Sequence, residues 1–305
     1  NGIEASDVIV TTPYNGDAGM IEIVCKKQVN YTFANVLGFQ DAVVSARAVA
    51  AKASGGGGSA AFEYAIYGGS STQQSNINGA SAYVEGDIHS NNDYSLQGAK
   101  SHIVGSIEAA YNLFVSGSQT TIEGHVQAAN VSLNGSQIST GTVMNISAPY
   151  VEMPDLSDIT DEAIANAGYN YAGYTGFHGA STYIDDSTYV DGMLQISGSN
   201  ITSSGALMTS GDIMLTGANT TLTGADGIAL YSANGDIMLS GSGHEIHGLI
   251  YAPNGSVRIY GANTVIYGQI IAQTVDLQAS GVEIYFDDSH LEIIGIGGDE
   301  NVLVE

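Results

Sequence analysis

Apolar and polar positions alternate at every second residue through most of the chain, as in Ser256-Val257-Arg258-Ile259-Tyr260-Gly261 and Thr274-Val275-Asp276-Leu277. Alternation of period two marks short strands with one buried face. Clusters of Gly, Asn and Ser bound these runs, and the runs recur. Val84-Glu85-Gly86, Ile103-Val104-Gly105 and Ile122-Glu123-Gly124 follow one another at spacings of 19 and 19 residues. Asn112 to Gln119 recurs as Asn130 to Gln137 after 18 residues, Gly211 to Leu215 as Gly235 to Leu239 after 24, and Ile246-His247-Gly248 as Ile266-Tyr267-Gly268 after 20. A unit of that length holds three short strands and three turns, which is one coil of a β-solenoid. Helical repeats need longer stretches of 3.6 periodicity, and a propeller blade needs about 40 residues. The expected fold is therefore mainly β, a right-handed parallel β-helix of 18–24 residues per coil over residues 81–286. Stacked at about 4.8 Å per coil, roughly nine or ten coils make a rod about 45 Å long. Val257, Ile259, Val275 and Leu277 point inward, and Arg258 outward.

Two regions break the pattern. Residues 150–182 read as an insertion lying along the rod: a helix within 155–168, capped by Asp158 or Thr160 and stopped by Gly168, then a Tyr-rich stretch with Tyr169, Tyr171, Tyr174 and Phe177. Residues 1–54 read as a small α+β module, with strands at Asp7 to Thr12, Met20 to Gln28 and Ala42 to Ala51, a turn at Asn15-Gly16 and a helical turn within Phe33 to Phe39. Residues 55–80, opening on Gly55-Gly56-Gly57-Gly58, read as linker and lead-in, and 287–305 as a C-terminal cap or tail.

Charge narrows the functions. Six Lys and Arg against 31 Asp and Glu give −25, which repels phosphate backbones, so no nucleic-acid partner is expected. Residues 1–54 hold Lys26, Lys27, Arg47 and Lys52 with five acidic residues, a net of −1, and the remainder carries −24. A single cysteine, Cys25, excludes a disulfide framework or a Cys-based zinc site. No run of about 18 apolar residues marks a transmembrane helix. The start at Asn1 rather than Met suggests that a signal or anchor segment precedes the chain.

Asn1-Gly2-Ile3, the Gly19-to-Val24 strand, Phe33-Ala34-Asn35-Val36-Leu37-Gly38-Phe39 and Val44-Ser45-Ala46-Arg47-Ala48-Val49-Ala50 resemble the TadG-like pilus-assembly proteins, in which a strand leads into an F-A-x-V-L-G segment and an S-A-R-A-V-A strand. Gly86-Asp87-Ile88-His89-Ser90-Asn91 and Gly248-Leu249-Ile250-Tyr251-Ala252-Pro253-Asn254-Gly255 resemble the solenoid that follows this module in some bacterial surface proteins. The resemblance implies cell-surface or appendage biology, an upstream anchor helix and no catalytic residues to carry over.

β-Helices also serve as scaffolds for pectin-degrading enzymes, which resemble one another in clustered Asp with Arg, Lys or His on adjacent coils. Here Asp185, Asp186, Asp212, Asp236, His244, His247, Asp287 and Asp288 supply acid and imidazole, but Lys100 and Arg258 are the only cations of the solenoid. Asp212 and Asp236 recur in one Gly-Asp-Ile-Met-Leu motif and are the candidate pair for Ca²⁺, as stacked oxygen ligands. His244 and His247 fall on opposite faces of a strand and share no metal. The expected function is a structural subunit of an extracellular filament or pilus-like appendage, not an enzyme, polymerising head to tail with copies of itself. Its expected contacts are the module's Lys26, Lys27, Arg47 and Lys52 on a neighbour's acidic rod. The alternatives are a pectinase-like enzyme and a bactofilin-like cytoskeletal polymer.

Overall fold

The structure, a computed structural model, describes residues 8–11, 20–30, 41–51 and 59–289. It is mainly β, with 56% strand and 6% helix. The chain divides into two compact units, the larger covering Gly58–Gly297.

In the smaller unit β1 (Val8–Thr11), β2 (Met20–Asn30) and β3 (Asp41–Ala51) form an antiparallel sheet in the order β1-β2-β3. β2 and β3 pair along their whole length, from Met20 opposite Ala51 to Asn30 opposite Asp41. The expected Asn15-Gly16 turn, the helical turn within Phe33 to Phe39, most of the glycine linker and the tail beyond 289 lie outside the described residues.

The larger unit is a β-solenoid of about 12 turns. Its three parallel ladders form faces A, B and C, and the repeat spacings of the sequence are its rungs. Val84 pairs with Ile103 and Ile103 with Ile122 on face C, Asn112 with Asn130 on face B, and Ile213 with Ile237 on the same face. Inward side chains join in one apolar core from Ala65 to Ile284. Val257, Ile259, Val275 and Leu277 lie in it, as their alternation requires.

The coils do not stack in sequence order. Residues 64–145 form one half-rod and 169–285 another, and the last coil of the second half lies on the first coil of the first. Ile270 pairs with Ile66, Leu277 with Ile77 and Ile284 with Val84. This seam unites the halves without a covalent step from rung to rung. The left-handed corner that each coil needs runs straight through it. Asn200, Asn219 and Asn263 hold that corner in the second half, Gly281 and Ser81 at the seam, and Lys100, Gln119 and Gln137 beyond it. Asn and Gly tolerate this conformation best, which explains their enrichment at the corners.

Two boundaries therefore shift. The solenoid starts at Tyr64 rather than 81, because residues 60–80 are a 3₁₀ turn at Ala60–Glu63 and the strands Tyr64–Gly68 and Ser75–Ile77. Tyr64–Gly68 is buried along its whole length, so it lacks the alternation of a half-exposed strand. Tyr169–Ala180 is not part of an insertion lying along the rod; it is the outermost coil, paired residue by residue with Thr188–Ser199. It is largely exposed because only one neighbour covers it.

Residues 146–168 are a strap that runs back along face A, connecting the far end of the first half-rod to the far end of the second. Ala148 N–H donates to Ala109 O (3.2 Å), Tyr67 Oη to Val151 O (2.6 Å) and Tyr251 Oη to Pro154 O. The helix α1 (Ser157–Ala165) follows; its N-cap position is Leu156, with no side-chain cap, and neither Asp158 nor Thr160 caps it, while the Asp155 carboxylate just before accepts the Ser157 N–H (3.0 Å). Val151, Leu156, Ala163 and Ala167 pack on Tyr67, Tyr251, Tyr231 and Met208 in a second apolar cluster outside the barrel.

Candidate functional site

One outward column on face A changes character along the rod. From the second half it reads Tyr189, Met208, Tyr231, Tyr251, Ile271 and Tyr67, then His89, Glu108, Gln127 and Met144. From Val151 onward the strap covers its apolar stretch, and residues 147–148 run beside the polar stretch.

The polar stretch is centred on Glu108. Its Oε1 lies 3.0 Å from His125 Nε2, and its Oε2 accepts the Tyr64 hydroxyl (3.2 Å) and lies 3.5 Å from His89 Nδ1. The last distance is that of an ion pair rather than a hydrogen bond. His89, these hydrogen bonds from His125 and Tyr64, and the coulombic attraction of His89 hold the Glu108 carboxyl at about 2, against burial, which acts in the opposite direction. Burial, with Glu108 next to it, pushes the Tyr64 hydroxyl up. His89 is fully buried and faces the rings of Tyr64 and Tyr67, at centroid distances of 4.8 and 5.9 Å. Its Nε2 meets Asn91 Oδ1 (3.1 Å), which also accepts the Val151 N–H (2.9 Å). Since Asn91 Nδ2 donates to Val151 O (2.7 Å), Asn91 clamps the strap backbone by both of its groups, and the oxygen it turns to His89 is an acceptor. His89 Nε2 is thereby fixed as a donor.

Ser106 Oγ lies 3.0 Å from His125 Nδ1, which completes a Ser106-His125-Glu108 relay. A hydrolytic nucleophile needs backbone N–H groups aimed at a developing oxyanion. Here the N–H of Ser106 donates to Asp87 (2.6 Å), that of Ile107 to His125 O (3.0 Å), that of His125 to Ser106 Oγ (3.2 Å) and that of Val126 to Thr142 O (2.9 Å). None of these four remains for a substrate. The relay ties two adjacent coils together.

The sequence-selected acids occupy backbone positions. Asp212 and Asp236 stand on successive coils as the repeat requires, but each carboxylate accepts a backbone N–H of the next coil. Asp212 Oδ1 takes that of Asp236 (2.8 Å), Asp236 Oδ1 takes that of Ser256 (2.8 Å), and Asp236 Oδ2 pairs with Arg258 (3.1 Å). They are coil-to-coil caps, and among the described residues no group of three acidic, His or Cys side chains is placed to hold a metal ion. Asp185 accepts the Tyr169 hydroxyl (2.7 Å), Asp186 the Ser187 N–H (2.7 Å) and Asp287 the Ser289 N–H (2.9 Å). His244 is buried against Ser240 O, and burial lowers its basicity, whereas His247 is half-exposed beside Glu245. Lys26 and Lys27 lie on β2 and Arg47 on β3, where Val24 stands opposite Arg47 and Lys26 opposite Ser45. Lys52 lies outside the described residues.

The rod ends are the other exceptional surfaces. Among the described residues, Asn130–Leu133, Ser139–Thr140 and Val143–Asn145 have no rung beyond them at one end, and Tyr169–Ala180 and Tyr183–Ile184 have none before them at the other. Residues 124–151 and 163–184 contain no Asp, Glu, Lys or Arg, and they are the two longest such runs in the chain. Leu133, Val143 and Ile146 are exposed at the first end, and Tyr169, Tyr171, Tyr174 and Tyr183 at the second. Sequence inspection missed both ends. Their signal was present as uncharged runs in a chain of net charge −25.

Residues 180–293 match a family described as a domain of unknown function, DUF7305. That span covers most of the second half-rod. Comparison with curated proteins and with solved structures gives no match.

Proposed function

We propose that this protein is a structural subunit that assembles head to tail into an extracellular filament or surface appendage. The observation that carries the reading is the pair of bare rod ends. Natural sheets protect an open edge with charge, proline or a covering loop, because an unpaired ladder recruits further strands. These ends have uncharged coils and exposed Leu, Val, Ile and Tyr instead. The long sides of the rod carry most of its acidic residues, so copies repel side by side and are free to meet end on. The surface position rests on the resemblance of residues 1–54 to pilus-assembly proteins and on an exterior rich in Asn, Ser, Thr and Tyr. Sedimentation velocity of the full chain over a concentration series tests assembly. Polymers are expected, and they shorten to monomers in Val143→Lys or Tyr183→Lys. A chain that stays monomeric at about 100 µM, far above the micromolar dissociation constants of weak complexes, overturns the reading. Protease treatment of intact producing cells tests location; an epitope that survives until lysis contradicts the surface assignment.

A further inference from the structure

We infer that the contact between subunits repeats the seam inside each one: the coil edge at Asn130–Asn145 of one copy lies in register on the Tyr169–Ile184 edge of the next. The inference rests on the head-to-tail reading above and replaces its expected contact, the basic module on a neighbour's rod, with a continued ladder.

The seam supplies the geometry. There the last coil of one half-rod meets the first coil of the other, with strands parallel and inward residues aligned. The free ends stand in the same relation, since one is the last coil of the first half and the other the first coil of the second. Only unlike ends keep the strands parallel. Two like ends would meet antiparallel, and their left-handed corners and glycine columns would fall out of line. Those columns need alignment: a Cβ on Gly98 would sit 1.8 Å from the carbonyl oxygen of Gly79 in the coil beneath it, and one on Gly198 would sit 1.8 Å from that of Gly179.

Continuing each ladder by one rung fixes the pairs. On face B, Leu133 ends the inward column that begins at Phe177. On face A, Val143 ends the column that begins at Tyr169, and on face C, Thr140 ends the column that begins at Ile184. Leu133 on Phe177 and Val143 on Tyr169 would cover four apolar side chains that one copy leaves uncovered or partly covered. Outward, Ser139 ends the face C column begun by Tyr183, and Met144 ends the face A column begun by Asn170. Both terminal coils lack Asp, Glu, Lys and Arg, so no buried charge opposes the contact. The chain enters the rod at Ser59 and leaves it near Ser289, both on coils at the seam.

Cysteine pairing tests the register, because adjacent rungs bring Cα atoms to about 5 Å, within disulfide range. In a full-length Cys25→Ser background, Ser139→Cys and Tyr183→Cys are made singly and together, and so are Met144→Cys and Asn170→Cys. Mild oxidation is followed by non-reducing electrophoresis, with sedimentation of the reduced protein alongside. The expected result is a ladder of multimers in each double variant, dimers when the two single variants of a pair are mixed, and at least tenfold less product from any single variant alone. Dimers from single variants show that like ends meet and overturn the inference. Reduced protein that sediments as polymer but gives no cross-link in either pair also overturns it while leaving the filament reading in place. Reduced protein that sediments as monomer in the Cys25→Ser parent overturns both.

Discussion

The seam and the rod ends are the same kind of surface in two conditions. At the seam Leu277 and Ile77 lie face to face, both fully buried, and the strap crosses the junction and holds it shut. At the end, Leu133 occupies the equivalent inward position of the same column with 37% of its surface exposed. The difference teaches that coil edges from distant parts of a sequence dock when register, corners and core positions agree, and that covalent continuity is unnecessary. An end with all three features and no charge to block it presents the kind of edge that the seam closes, which is the basis of the proposed head-to-tail contact.

The largest effect separates the two surfaces with one substitution. Leu277→Asp places an unpaired carboxylate in the seam and should cost more than about 4 kcal/mol, enough to unfold the rod. Leu133→Asp should change folding stability by about 1 kcal/mol or less, as at an exposed site, and abolish polymerisation. Urea denaturation and sedimentation of both variants check this. Equal destabilisation would mean that the end is as closed as the seam.

Removing the strap's clamp comes next. Asn91→Ala strips partners from Val151 N–H and O and from His89 at once and should cost about 3–5 kcal/mol. Hydrogen exchange should then rise first in residues 146–168, and uniform exchange across both half-rods would show that the strap does not hold the seam. Within the core, Ile259→Ala should cost about 2–5 kcal/mol. Arg258→Ala, which breaks only a half-exposed pair with Asp236, should cost about 1 kcal/mol or less.

Acid titration probes the polar cluster on face A. Glu108 is held at about 2 in the fold against an ordinary 4.5, so it contributes stability above the higher value, and that contribution is lost as pH falls from about 4.5 to about 2. Glu108→Gln should remove this part of the acid slope. A wild-type slope retained in the variant would assign the acid sensitivity to other carboxylates.

The rung register was legible in the sequence because like residues recur on like rungs: Asn112 and Asn130, Ile213 and Ile237, Ile246 and Ile266 were paired correctly by spacing alone. The order of coils was not. Periodicity says which residues stack on the next repeat, and nothing local tells Ile284 that its neighbour is Val84, some two hundred residues earlier. The strand Tyr64–Gly68 escapes detection because burial on both sides erases alternation, and Tyr169–Ala180 reads as part of an insertion because an end coil exposes its aromatic side chains. Asp212 and Asp236 were placed correctly, but their partners are backbone N–H groups, which carry no sequence signal. The Glu108 cluster gathers residues from four coils with no shared motif.

Electron cryo-microscopy of the assembled protein tests the central claim most directly, through the axial density at each subunit junction. The account predicts an unbroken ladder with rungs about 4.8 Å apart, running from the Val143–Asn145 strand of one copy into the Tyr169–Ala180 strand of the next. Rods that touch along their sides, or junctions where the ladder stops and the N-terminal sheet stands between two coils, would contradict it.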